Sequence, residues 1–145
     1  MNKYIFLSFL LGCGGKSIDS GALEDEGFQW PPGAVAPRVV GGYAYCDSGN
    51  QIIFVNVTGD DPQGVIDITR DENFFRIYPV GSNTHMVEDY LYCDHGECVY
   101  SFQPWHYPEI NCENYKGYRF TAVVVDWDGN SSPEVDIQVG SLPSN

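Results

Sequence analysis

The chain is short of positive charge. Seven lysines and arginines stand against twenty acidic residues, a formal net charge of −13 at neutral pH. No basic stripe is available to neutralise phosphates, which argues against nucleic acid and against electrostatic docking on anionic lipid. Histidine is scarce too: His85, His95 and His106 stand singly in turn-like segments. There is no paired-histidine zinc motif and no nucleophile elbow, so an enzyme is not what these residues favour. Helical periodicity is also missing, and no segment carries an apolar stripe at 3.6-residue spacing. The N-terminal apolar run, Tyr4–Leu11, has eight residues, where a membrane-spanning helix needs roughly twenty.

That run leads into LLGCGGKSIDSG, Leu10 to Gly21. GGKS invites a phosphate-binding-loop reading, but Leu10 occupies the place of that loop's first glycine. No apolar helical stripe follows it either. A short positive start at Lys3, the apolar run, and small residues before a cysteine instead resemble a bacterial lipoprotein signal. The resemblance implies cleavage after Gly12 and diacylglycerol on Cys13, with an acyl chain on its new amino group. Gly14, rather than an acidic residue, implies sorting to the outer membrane. The expected location is thus the bacterial cell envelope, facing the periplasm or the exterior. Loss of Lys3 with the leader would leave six basic residues and a net charge of about −14.

With Cys13 lipidated, four cysteines remain: Cys46, Cys93, Cys98 and Cys112. An even number in an exported chain points to two disulfides and leaves no free thiol to act as a nucleophile. Four cysteines allow three pairings. Cys93–Cys98 across a short turn with Cys46–Cys112 is one, and Cys46–Cys93 with Cys98–Cys112 is another. The CDHGEC segment, with His95 between Cys93 and Cys98, also permits a metal site with Cys112 as a further ligand. An oxidising compartment disfavours it, because it removes the thiolates.

Residues 13–37 read as a tether. GGKSIDSG, ALEDEG and WPPGAVAP carry no periodicity that could bury a face, apart from Phe28 and Trp30, which could dock on the domain. From Arg38 the texture becomes short β-rich runs separated by turns. The strand candidates are RVVGGYAY, QIIFVNVT, GVIDIT, NFFRIYPV, MVEDYLYC, CVYSFQ, YRFTAVVV and EVDIQV. Such spacing predicts an all-β sandwich of about seven to eight strands over residues 38–140, with 141–145 as a tail. In the last candidate Val135, Ile137 and Val139 alternate with Glu134, Asp136 and Gln138, one face dry and one wet.

YRFTAVVVDWDGNSS, residues 118–132, resembles the penultimate strand and following turn of fibronectin type III and related bacterial immunoglobulin-like domains. The resemblance implies alternate residues Tyr118, Phe120, Ala122 and Val124 directed to the core and Asp126 bonding backbone amides across the turn. Gly129 and Asn130 would accept left-handed geometry, and Tyr118 would lie near the family's tyrosine corner. VTGDDPQGVIDI is similar to the turn between the second and third strands of such modules. The chain departs from the pattern in its cysteines, in the long PWHYPEINCENYKG connection and in lacking an early tryptophan.

Two groups of residues are candidates for binding. Asp60 and Asp61 in one turn, and Asp126 and Asp128 in another, would share one end of an immunoglobulin-type sandwich and could supply oxygens to calcium. The alternative is that each aspartate caps its own turn. In SFQPWHYPEI, the prolines stiffen a loop holding Trp105, His106 and Tyr107. Its aromatics suit stacking on sugars or anchoring a protein, or else folding back to plug the domain. Trp127, at a turn tip, is the single residue most suited to contact a partner. The expected function is therefore a lipid-anchored binding, adhesion or structural module whose partners are the membrane, through its lipid, and a protein or carbohydrate. No cofactor beyond calcium is expected. The competing classes are a calcium- or transition-metal-binding protein, or a carbohydrate-binding accessory domain.

Overall fold

The computed structural model describes residues 35–64 and 67–140. The expected leader over residues 1–12, Cys13, most of the expected tether with Phe28 and Trp30, and the tail 141–145 lie outside the described residues.

Eight strands make up the domain. They are β1 (Arg38–Asp47), β2 (Ile52–Asp60), β3 (Asn73–Pro79), β4 (Val87–Asp94), β5 (Glu97–Phe102), β6 (Tyr118–Val123), β7 (Val135–Asp136) and β8 (Gln138–Val139). Alternation along the chain sets their faces. In β2, Ile53, Val55 and Val57 are buried while the residues between them are half-exposed. Phe75 and Ile77 of β3, Leu91 of β4, Phe102 of β5 and Phe120 and Ala122 of β6 turn to the same interior. Each large apolar side chain so buried stabilises the fold by about 1.5–3 kcal/mol.

The strands form one mixed sheet in the order β7-β6-β3-β4-β5-β2-β1-β8, nearly closed into a barrel. Its closure comes from the single run EVDIQV. Val135–Asp136 pairs antiparallel with β6, and Gln138–Val139 pairs parallel with β1. Ile137 sits between the halves, buried, and its N–H donates to the Phe120 carbonyl at 3.0 Å. The expected alternation is therefore present, but one strand serves both edges of the sheet. Little edge is left for another chain to pair with.

The described residues of GVIDIT, Gly64 and Asp67–Thr69, do not form the expected strand. Val65 and Ile66 lie outside the described residues, and Ile68 makes only an isolated bridge, to Asp126. Asn73 explains how this segment is held. Wholly buried, it donates from Nδ2 to the Thr69 carbonyl at 2.6 Å and accepts the Val125 N–H at 2.8 Å. This side chain adds to two backbone bonds between the loop and β6's extension, Thr69 N–H to the Val125 carbonyl at 2.8 Å and Trp127 N–H to the Asp67 carbonyl at 2.9 Å.

Antiparallel neighbours send their connections to opposite ends of the barrel. One end gathers the β2–β3 connection, the β4–β5 turn and the β6–β7 connection, and the chain enters there at Arg38. The β1–β2 turn, the β3–β4 loop and the long β5–β6 connection gather at the other end.

Candidate functional site

The β5–β6 connection builds the aromatic end from the inside out. Phe102 and Ile110 are fully buried, and the Tyr107 ring packs edge-on against Phe102 at 5.0 Å. Those residues plug the barrel. Trp105 and His106 do not: the indole is 71% exposed, so the aromatic segment divides between plug and surface. Trp105 is nevertheless fixed, stacked on His106 at 3.6 Å with its Nε1–H donating to Gln103 Oε1 at 2.6 Å. Beside it lies a cleft of about 220 Å³ lined by Met86, Val87, His106, Tyr107, Pro108 and Glu109.

Two features clamp this loop. A disulfide joins Cys46 at the end of β1 to Cys112, with Cα atoms 5.4 Å apart. Asp89 is the second. By strand parity it belongs with the core-facing Val87 and Leu91, yet it is a carboxylate. Its Oδ2 accepts the Tyr100 hydroxyl at 2.7 Å and also the Tyr107 hydroxyl, and its Oδ1 accepts the Tyr90 N–H at 2.8 Å. Burial pushes the carboxyl upward, but the Tyr100 and Tyr107 hydroxyls and the Tyr90 amide outweigh it and hold it below the usual carboxylate range. Burial first, and then the bond to Asp89, raise the Tyr107 phenol.

At the opposite end the four aspartates separate by role, with Asp128 exposed in the turn that follows Trp127. Asp126 is wholly buried and caps its own turn, with Oδ1 accepting the Asn130 N–H at 2.7 Å and Oδ2 the Asn130 Nδ2 at 2.8 Å. The turn-capping alternative therefore describes Asp126. Gly129 takes the left-handed conformation expected of it (φ 82°), whereas Asn130 does not. Asp60 is engaged by Arg38, whose Nε lies 2.9 Å from Oδ2. Asp61 is 3% exposed, and only its Oδ1 is bonded, to the Gln63 N–H at 2.7 Å. Sequence reasoning passed over Asp67, which the fold sets beside Asp61. The Trp127 N–H donates to the Asp67 carbonyl at 2.9 Å, drawing the β6–β7 and β2–β3 connections together.

Cys93 and Cys98 are direct cross-strand partners and form the second disulfide. The two residues of the turn above them, His95 (φ 49°) and Gly96 (φ 81°), both take the left-handed conformation that tight hairpins need. This pairing closes the alternatives that spacing left open. Trp127 is 63% exposed and borders a cleft of about 170 Å³ with Arg70, Asp94 and His95. Tyr118 donates its hydroxyl to the Glu109 carbonyl at 3.0 Å, tying β6 to the plug.

The outward face of the sheet holds a further group that sequence reasoning missed. Tyr45 and Phe54 are cross-strand partners with rings stacked at 5.0 Å, and Val99, Tyr90 and Tyr92 extend the band, each about half-exposed or more. Its signal was present in the second parity of the strands, as in the alternation of Tyr90 and Tyr92 with Leu91 and Cys93. Comparison of the chain with protein-family models, with curated proteins and with solved structures finds no match among any of them.

Proposed function

We propose that this chain is an exported, lipid-anchored module that binds an envelope component, protein or glycan, through the Trp105 end of its barrel. The observation carrying this reading is Trp105 itself: a largely exposed indole locked in place beside an apolar cleft. Exposing a large ring costs hydration free energy, and fixing it gains nothing for folding. Both features favour association, because an immobilised aromatic loses little entropy when a partner covers it. In the finer fold reading, the barrel is an immunoglobulin-like sandwich of the fibronectin type III kind. The apolar β6 run that leads into the Asp126 cap and the Gly129 turn supports it.

The two disulfides agree with an oxidising compartment. Anchorage through Cys13 fits the domain's polarity, since the chain enters at the acidic end and the Trp105 end is the far one. Two measurements test the proposal. Mass spectrometry of the mature chain should show a diacylated N-terminal Cys13, and an unmodified Met1 start would refute the anchor. Retention of the unlipidated Cys13→Ser chain on purified cell envelopes should fall at least tenfold on adding Trp105→Ala, with unchanged melting temperature. Equal retention would refute Trp105 as the contact. Prior digestion of the envelopes with protease or glycosidase separates the partner classes.

A further inference from the structure

We infer that the turn opened by Asp61 binds a hard divalent cation, calcium, through Asp61, Asp67 and the side-chain oxygen of Gln63. Burial and missing partners carry the inference. Asp61 is 97% removed from solvent, and its Oδ2 has no hydrogen-bond partner. Asp67 and Gln63 are half-buried residues, but Asp67 Oδ2 and both ends of the Gln63 amide are themselves buried atoms with no hydrogen-bond partner. A buried oxygen with no donor costs about 1–3 kcal/mol, more when charged, and one turn holds three such oxygens. Proteins keep such groups where something else supplies the missing charge.

Backbone geometry brings these groups together independently of their charge. The Gly64 N–H bonds the Asp61 carbonyl at 2.8 Å, and the Asp67 N–H bonds the Gly64 carbonyl at 2.9 Å. This doubled turn carries Asp67 back beside Asp61, and the Trp127 amide locks it there. Both carboxyls are pushed upward, Asp61 by burial and then by Asp126, Asp60 and Asp128, Asp67 by burial and then by Asp61, Asp128 and Asp126. The site therefore lacks positive charge in its cation-free form.

Chemistry selects the ion. Among the described residues no three carboxylates, imidazoles or thiolates converge on one point. Asp126 is spent on Asn130 and Asp60 on Arg38. What remains is two carboxylates and an amide oxygen, with carbonyls and water to complete the shell. Calcium takes roughly six to eight oxygens of this kind, whereas zinc and copper seek nitrogen and sulfur. The rival occupant is a proton shared by Asp61 and Asp67.

Terbium, which occupies calcium sites and emits when a nearby tryptophan is excited, reads out both the site and its position. The full chain in detergent should show tryptophan-sensitised terbium emission that millimolar calcium displaces. Calcium should also raise its melting temperature by several degrees, since an ion that binds only the folded state stabilises it. Trp127→Phe should cut the emission at least tenfold and leave the calcium shift intact. Asp67→Asn should abolish both, yet raise the melting temperature without calcium, because it relieves repulsion. Asp61→Asn should do the same, and Asp67→Asn keeps the test open if that variant fails to fold. A wild-type chain with neither emission nor calcium shift overturns the site and leaves the shared proton. Persistence of both effects in the Asp67 variant, or a zinc shift equal to that of calcium, overturns it too.

Discussion

Asp89, half-buried, and Asp61, buried, lie toward opposite ends of the same barrel, and the protein treats them oppositely. Asp89 meets two tyrosine hydroxyls and a backbone amide, so it stays charged and pins a loop. Asp61 meets a single amide and three like charges, so its charge is resisted. Desolvation acts in the same direction on both. The donors decide the outcome, and with it whether a buried carboxylate closes a structure or waits for a ligand.

The contrast can be broken most forcefully at the aromatic end's covalent clamp. Cys46–Cys112 spans 66 residues and Cys93–Cys98 only five. Loop-closure entropy puts the first at about 4 kcal/mol and the second at about 2. Paired Cys→Ala variants compared by urea unfolding should show that order, and equal losses would contradict it. Next comes the non-covalent clamp. Tyr107→Phe leaves Asp89 one donor short and should cost about 1–3 kcal/mol in the same assay. A change near zero would mean that Asp89 does not hold the loop.

Acidification separates the two ends by sign. Asp61 and Asp67 have folded pKa values raised above the ordinary 3.8, so their ionised forms oppose folding at neutral pH. That opposition fades as pH falls through those raised values, and calcium-free stability should rise there. Below the ordinary carboxylate range the sign reverses. Asp89 is held low, as is Glu134, where burial is outweighed by bonds from Thr121, Tyr78 and Arg76. Their stabilisation is present above the unfolded pKa and is lost as pH falls through the depressed folded values. Melting temperature against pH should therefore pass through a maximum in mildly acidic solution, and a monotonic fall from neutrality would refute the assignment of Asp61. The smallest effect is expected at Trp105, where replacement by alanine should change stability by less than about 0.5 kcal/mol.

Much of the fold was legible along the chain, because half-buried strands write their period into sequence. Val135, Ile137 and Val139 announce the closing segment, whereas β6 and its extension read as a continuous apolar run because Thr121, Val123 and Val125 are buried as well as Phe120, Ala122 and Val124. GVIDIT misled because alternation reports which side chains want burial, not which backbone groups find a ladder. Ile68 is buried as its apolarity demands, but its backbone pairing is confined to one bridge, with the Asn73 side chain bonding beside it. Of the candidate residues, the exposure of Trp105 and Trp127 was partly foreseen, whereas Asp67 and Asp89 were not. Asp67 sits in a run read as strand, and Asp89 looks like one more surface acid until parity and pairing place it inward.

Sequence alone determined the acidic balance, the absence of helical periodicity and much of the strand faces. These are properties of local pattern and composition. Tertiary structure decided which cysteines pair, that one C-terminal run closes the sheet from both sides, and which acids find donors. Each depends on groups far apart in the chain meeting at one end of a barrel, Asp89 with Tyr107 and Asp67 with Trp127. No local pattern encodes the distance between them.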